Sequence, residues 1–154
     1  MWKRILFVVL YACLCVAPAR TQTIAHEADW TVATAPPVVV RTVPMSGATD
    51  VDPALREIRV TFSKSMLNKS WSFAQVSEGT FPARSESPHY AADGKTCVWP
   101  IFLEPGKDYV IWVNSERSRG FKDSNRTPAL PYLLVFKTRA AESGIESQRN
   151  KKKR

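Results

Sequence analysis

The sequence predicts an all-β protein, an antiparallel β-sandwich of about seven short strands. Three observations predict it. Runs of β-branched and aromatic residues recur through the middle of the chain, with turn-forming residues between them. Several of these runs alternate apolar and polar residues with the period of two that a half-buried strand requires. The 154 residues also hold 11 Pro against 6 Gly, a balance that suits strands and turns better than long helices.

Taken in order, Val38 to Val43 is a Val-rich first strand. Asp52-Pro53-Ala54-Leu55 is a single turn, with Asp at its N-cap and Pro at its first helical position. Ile58-Arg59-Val60-Thr61-Phe62 alternates strictly, so Ile58, Val60 and Phe62 face inward and Arg59, Thr61 and Ser63 outward. Trp71 to Val76 is a short candidate strand, and Phe81 to Arg84 a weaker one. Asp93-Gly94, between Tyr90 and Thr96, is a hairpin-turn pair. Thr96 to Ile101 follows, and Pro100 within it implies an edge or a bulge. Tyr109 to Val113 and Tyr132 to Phe136 are the strongest strands of all.

The rest of the chain frames this domain. Trp2-Lys3-Arg4 is positive, Ile5 to Val16 is apolar without a charge, and Ala17-Pro18-Ala19 offers a small-x-small cleavage site. Residues 1–19 therefore read as a secretory signal peptide, cut after Ala19. The apolar run is shorter than the roughly 20 residues a membrane span needs, so no span is expected after cleavage. A rival route makes Leu10-Tyr11-Ala12-Cys13 a lipobox and anchors the chain through a lipidated Cys13. Residues 20–36 form an exposed linker, 37–139 the sandwich domain, and 140–154 a disordered basic tail. Cys97 is the cysteine left in the mature chain, so no internal disulfide supports the fold. Its expected role is that of a small buried hydrophobe.

Composition limits function without naming it. Hydrophobic residues make up 44% and charged residues 23%, which excludes a wholly disordered chain. The formal net charge is +8, of which Lys3 and Arg4 leave with the signal peptide. The last six residues add five bases and no acid, so the folded part is only mildly basic. Such a balance serves solubility, or contact with an anionic polymer.

A more specific feature precedes the Tyr109 strand. In Leu103-Glu104-Pro105-Gly106-Lys107-Asp108-Tyr109, Leu103 plugs the core, Pro105-Gly106 turns the chain, and the Tyr109 ring packs inside. The hydroxyl can then bond back to upstream backbone as a tyrosine corner, a device of immunoglobulin-like sandwiches. Thr42-Val43-Pro44-Met45-Ser46-Gly47-Ala48-Thr49-Asp50-Val51 resembles the opening of bacterial Ig-like domains of the S-layer SbsA type. The resemblance continues through Ile58 to Met66, Asp93 to Thr96, the corner itself, Phe121-Lys122-Asp123 and the closing Val135-Phe136-Lys137-Thr138. One departure is Ser124-Asn125-Arg126-Thr127, where such domains usually carry a Gly-Asn turn. The resemblance implies an immunoglobulin-like fold and an extracytoplasmic, non-catalytic module that assists larger surface proteins or enzymes.

Motifs that carry chemistry are few. His26 and His89 belong to no metal-spaced set, and no nucleophile elbow or phosphate loop occurs. A small hydrolase would need a polar constellation that the sequence does not display. Asp50-x-Asp52 and Asp123-x-Asn125 supply oxygen ligands for calcium if their two loops meet, but turn and cap roles explain them as well. Asn68-Lys69-Ser70 and Asn125-Arg126-Thr127 are formal glycosylation sequons. No catalytic residue, cofactor or metal is therefore assigned.

Two surfaces remain as binding candidates. With Tyr109, Ile111 and Val113 inward, Trp112 lies on the outer face, where Trp71 or Trp99 nearby would complete a sugar-stacking platform. Asn114 to Pro131 is a long connection that holds Arg117, Arg119, Lys122 and Arg126 against Glu116 and Asp123. Gly120 allows it a tight turn and Phe121 tucks inward as its anchor. The expected function is a secreted non-catalytic Ig-like module that binds or spaces at the cell envelope. Its partner is an envelope or extracellular component, such as an anionic polymer or polysaccharide met by this loop and the Lys151-Lys152-Lys153-Arg154 tail. No nucleic acid is expected. The alternative is a small carbohydrate-binding module that uses exposed Trp residues.

Overall fold

The computed structural model describes residues 31–141. The expected signal peptide, Cys13, most of the 20–36 linker with His26 and Trp30, and the tail beyond residue 141 lie outside the described residues. Eight strands follow one another: β1 (Val39–Val43), β2 (Glu57–Phe62), β3 (Phe73–Gln75), β4 (Ala83–Arg84), β5 (His89–Tyr90), β6 (Thr96–Phe102), β7 (Asp108–Val113) and β8 (Tyr132–Lys137). All pair antiparallel, in two sheets. One has the order β1-β2-β6, with β4 and β5 both on the far side of β6; the other has the order β3-β7-β8. The architecture is the expected all-β sandwich.

Alternation decides which faces meet. Ile58, Val60 and Phe62 of β2, with Cys97, Trp99 and Ile101 of β6, form one inner face. Tyr109, Ile111 and Val113 of β7, with Leu134 and Phe136 of β8, form the other. Each of these side chains is at most 2% exposed. Burying a large apolar side chain contributes about 1.5–3 kcal/mol, so this double layer is the main source of stability in a domain with no disulfide among its described residues.

Some expectations shift. The Trp71 to Val76 run narrows to three paired residues, and Phe81 to Arg84 to two. Asp93-Gly94 does turn the β5–β6 hairpin, with Gly94 at φ 63°. Asp52 caps its turn through Oδ1, which accepts the Ala54 N–H at 2.8 Å. Pro100 is not on an edge strand, because β6 lies inside its sheet. Ile101 donates its N–H to Arg56 O on the β2 side, while Pro100 O accepts from Ser85 on the other. The proline nitrogen therefore faces the break between β4 and β5, where no strand asks for an N–H.

The chain enters and leaves at opposite ends. Pro37 O accepts the Leu130 N–H beside the start of β8, whereas Arg139 is bonded to Val51 and Gly106 past the end of β8. The six residues of β8 separate the two points by roughly 20 Å. The 114–131 loop marks the first end, called here the loop end. The Leu103–Tyr109 turn marks the second, the corner end.

Candidate functional site

The loop end is built around a residue that the sequence did not flag. Asn114 is fully buried and takes a left-handed φ of 55°. Its Nδ2 donates to Phe121 O and Ala129 O, both at 2.9 Å, and its Oδ1 accepts the Phe121 N–H at 2.9 Å. One side chain thus closes the loop on itself. Phe121, fully buried, anchors it against Phe62 and Phe73 at ring-centroid distances of 4.9 and 5.1 Å. Gly120 does not serve a tight turn. A Cβ there would meet Trp71 O at 2.2 Å, so glycine permits close packing of backbone on backbone. The Ser70 hydroxyl donates to Gly120 O across the same contact.

Two turns project from this frame. Ser115 to Ser118 is closed by a backbone bond of 2.7 Å and carries Glu116 and Arg117. The second turn runs between Lys122 and Pro128, which form an isolated bridge. Asp123 organises it while buried: Oδ1 accepts the N–H groups of Asn125 and Thr127 at 3.0 and 2.9 Å. Arg126 adopts φ 64° there, the left-handed position that glycine fills more readily. Arg117, Arg119 and Arg126 are exposed and Lys122 is half-buried. Among the described residues, none of the four is in a salt bridge. They are held on a fixed backbone outside any ion pair, although Glu116 and Asp123 lie in the same loop. The structure does not bring the loop together with the root of the tail, because Arg139 leaves at the corner end.

The aromatic candidates separate. Trp99 is a core residue, 2% exposed, stacked on Phe73 at 4.3 Å, with its Nε1 buried and unpaired. It cannot offer a face to a ligand on the outer sheet. Trp71 shares a cavity of about 290 Å³ with Trp99, Phe73 and Phe81, on the inner side of the β3 sheet. Trp112 stands alone on the outer side, half-buried between Ala74 and Leu133, its register partners. It lines a groove of about 570 Å³ together with Gln75, Val76, Glu116, Arg117 and Pro131. The two candidate surfaces therefore meet, through Arg117, in one groove.

The corner end is different in kind. Tyr109 is fully buried and stacks on Phe136 at 5.1 Å, while its hydroxyl accepts the Glu104 N–H at 2.7 Å. Leu103 is 8% exposed, and Gly106, after Pro105, turns at φ 68°. Thr138 Oγ1 accepts the Lys107 N–H at 2.9 Å and donates to Glu104 O at 2.6 Å, tying the corner to the end of β8. Three ion pairs lie here: Glu104 with Lys107, Asp108 with Lys137, Asp52 with Arg139. The hydrogen bond that Lys107 donates to Glu104 also raises the Lys107 ammonium above its usual range.

The calcium arrangement fails on geometry. Asp52 is engaged by Arg139 at the corner end, whereas Asp123 is at the loop end, so the two loops do not meet. No group of three or more His, Cys, Asp or Glu lies close enough to hold a metal among the described residues. Burial pushes the Cys97 thiol up to about 12, which keeps it protonated and non-nucleophilic at neutral pH. His89 is exposed on β5 and has no hydrogen-bonding or ionic partner of its side chain among the described residues.

Comparison with known proteins adds a family. A profile described as a bacterial Ig-like domain matches residues 33–138. Among solved structures, domains 1–6 of the surface layer protein SbsC are similar at 20% identity over 70% of this chain and 14% of that one, with a TM-score of 0.44. The N-terminal part of the bacterial S-layer protein SbsC is similar at 20% identity over 70% of this chain and 24% of that one, also with a TM-score of 0.44. The chain thus spans about a quarter or less of the length of these S-layer chains. No curated protein matches it.

Proposed function

The chain belongs to the bacterial Ig-like domain family, and on that premise we propose that it is a secreted, non-catalytic module that binds and spaces at the cell envelope. The observation that carries the binding half is the contrast in charge. Four bases on a rigid loop stand without an ion pair among the described residues, while Lys107, Lys137 and Arg139 of the corner end are each paired with an acid. Long loops held by a stiff sandwich are where such folds place recognition. The spacing half is supported by the opposite placement of chain entrance and exit, which lets the domain transmit a fixed separation. Export is supported by Lys3-Arg4, the apolar run and Ala17-Pro18-Ala19. No helix of the described residues is long and apolar enough to cross a membrane.

Mass spectrometry of the protein recovered outside the cytoplasm tests the export step. The mature chain is expected to begin at Arg20. An intact Met1 overturns export by this route, and a lipidated Cys13 moves the protein to an anchored form. The rival function, a small carbohydrate-binding module, keeps Trp112 as its stacking residue on the outer sheet face.

A further inference from the structure

We propose that the groove beside Trp112 is a binding site for an acidic polysaccharide, with a sugar ring on the indole and a sugar carboxylate on Arg117. This rests on the reading of the chain as an envelope module and names the ligand of its loop end. The groove of about 570 Å³ is within the range of ligand sites, about 300–1,000 Å³. Its floor is an aromatic ring whose neighbour on β3 is only Ala74, so no large side chain from that strand covers it. The indole Nε1 makes no hydrogen bond among the described residues. Gln75 lines the groove but pairs with Ile111, so its side chain is on the other face of β3 and is bonded to Ser77 O at 2.8 Å. Glu116 and Arg117 stand on the Ser115–Ser118 turn with no ion pair among the described residues, and Arg117 reaches the same groove.

Those features match one ligand chemistry. A pyranose presents apolar C–H groups on its face and hydroxyls at its rim. The face suits Trp112, and the hydroxyls suit the Glu116 carboxylate. Arg117, with Arg119 behind it in sequence, favours a ring that carries a carboxylate over a neutral one. A purely apolar partner would leave the polar wall unsatisfied. A polyanion without rings would leave Trp112 without a role.

The test is a titration of the mature protein, followed by NMR chemical shifts, with three probes: a galacturonate trimer, a galactose trimer and inorganic polyphosphate. The galacturonate trimer is expected to bind best, with shifts confined to Trp112, Gln75 and the 115–118 turn. Trp112→Ala is expected to weaken it about tenfold or more, and Trp112→Phe less. Arg117→Gln is expected to bring the two sugars to equal affinity and to remove the salt dependence of the first. An unchanged thermal melt establishes that each variant is folded, since Trp112 is outside the core. Equal binding of polyphosphate, or full binding by Trp112→Ala, overturns the proposal. If envelopes retain the protein in a salt-dependent way yet neither trimer binds, the saccharide site is wrong and the envelope reading survives. If neither is seen, both fall.

Discussion

At the corner end Glu104, Asp108 and Asp52 each hold a base, while at the loop end Arg117, Arg119, Lys122 and Arg126 hold none. The backbone is fixed at both ends, but by different groups. The corner uses the Tyr109 hydroxyl and Thr138; the loop uses Asn114 and Asp123. In each case a buried polar side chain satisfies the backbone groups that a turn leaves without partners. The difference lies in what is left on the surface. Exposed ion pairs contribute little to stability, about 0–1 kcal/mol each, so pairing is not what holds the corner together. The bases of the loop leave their charge at the surface, outside any ion pair among the described residues. Backbone order and surface charge are thus supplied by different residues of one loop.

Substitutions can break or sharpen that contrast. The largest effect is expected from Asn114→Ala. It strips three hydrogen bonds from buried backbone groups and places Ala in a left-handed conformation. A loss of about 4 kcal/mol follows, read from urea melts. Gly120→Ala comes next, because its Cβ would press on Trp71 O and force two backbone segments apart. The expected cost is about 3 kcal/mol, again by urea melts. Tyr109→Phe keeps the ring and leaves the Glu104 N–H unpaired, for a loss of about 1–2 kcal/mol. If Tyr109→Phe costs as much as Asn114→Ala, the two ends are not braced by groups of different number and the comparison fails.

A smaller effect depends on pH. Asp93 is held below the usual carboxylate range by the Thr96 hydroxyl first, then by the N–H groups of Thr96 and Lys95. A lowered folded-state value gives stability that is present above the unfolded value, about 3.9, and is lost as pH falls through the folded one. The stability difference between wild type and Asp93→Asn is therefore expected at neutral pH and should shrink in melts taken at successively lower pH below about 4. A difference that persists to strongly acidic pH would mean that the hairpin turn, and not the carboxylate charge, is what matters.

The sandwich was legible because burial imposes a period. Ile58, Val60 and Phe62, or Tyr109, Ile111 and Val113, announce an inner face wherever they occur. The corner was legible because Leu103, Pro105, Gly106 and Tyr109 are close in sequence. Asn114 was not, since a single polar residue that bonds to backbone seven and fifteen positions away leaves no periodic trace. Its one signal was its place directly after the strongest strand. The burial of Trp99 was not legible because its strand has no alternation: Thr96 to Trp99 are all buried, enclosed by β2 and by the short β4 and β5. The place of Pro100 inside the sheet was not legible because a break between two short strands is a fact of topology. The groove at Trp112 needed β3, β7 and the loop in place at once.

The most direct measurement of the central claim is retention on isolated cell envelopes across a salt gradient. Wild type is compared with a variant carrying Ser at positions 117, 119, 122 and 126, and with one carrying Ser at 107, 137 and 139. Each loop change is at or near the surface and expected to shift stability by about 0.5 kcal/mol or less. Wild type should be held at low salt and released as screening shortens to about 8 Å at physiological ionic strength. The corner-end variant should elute with wild type, and the loop variant should fail to bind even at low salt. Identical elution of all three, or loss of retention in the corner-end variant alone, would contradict the account.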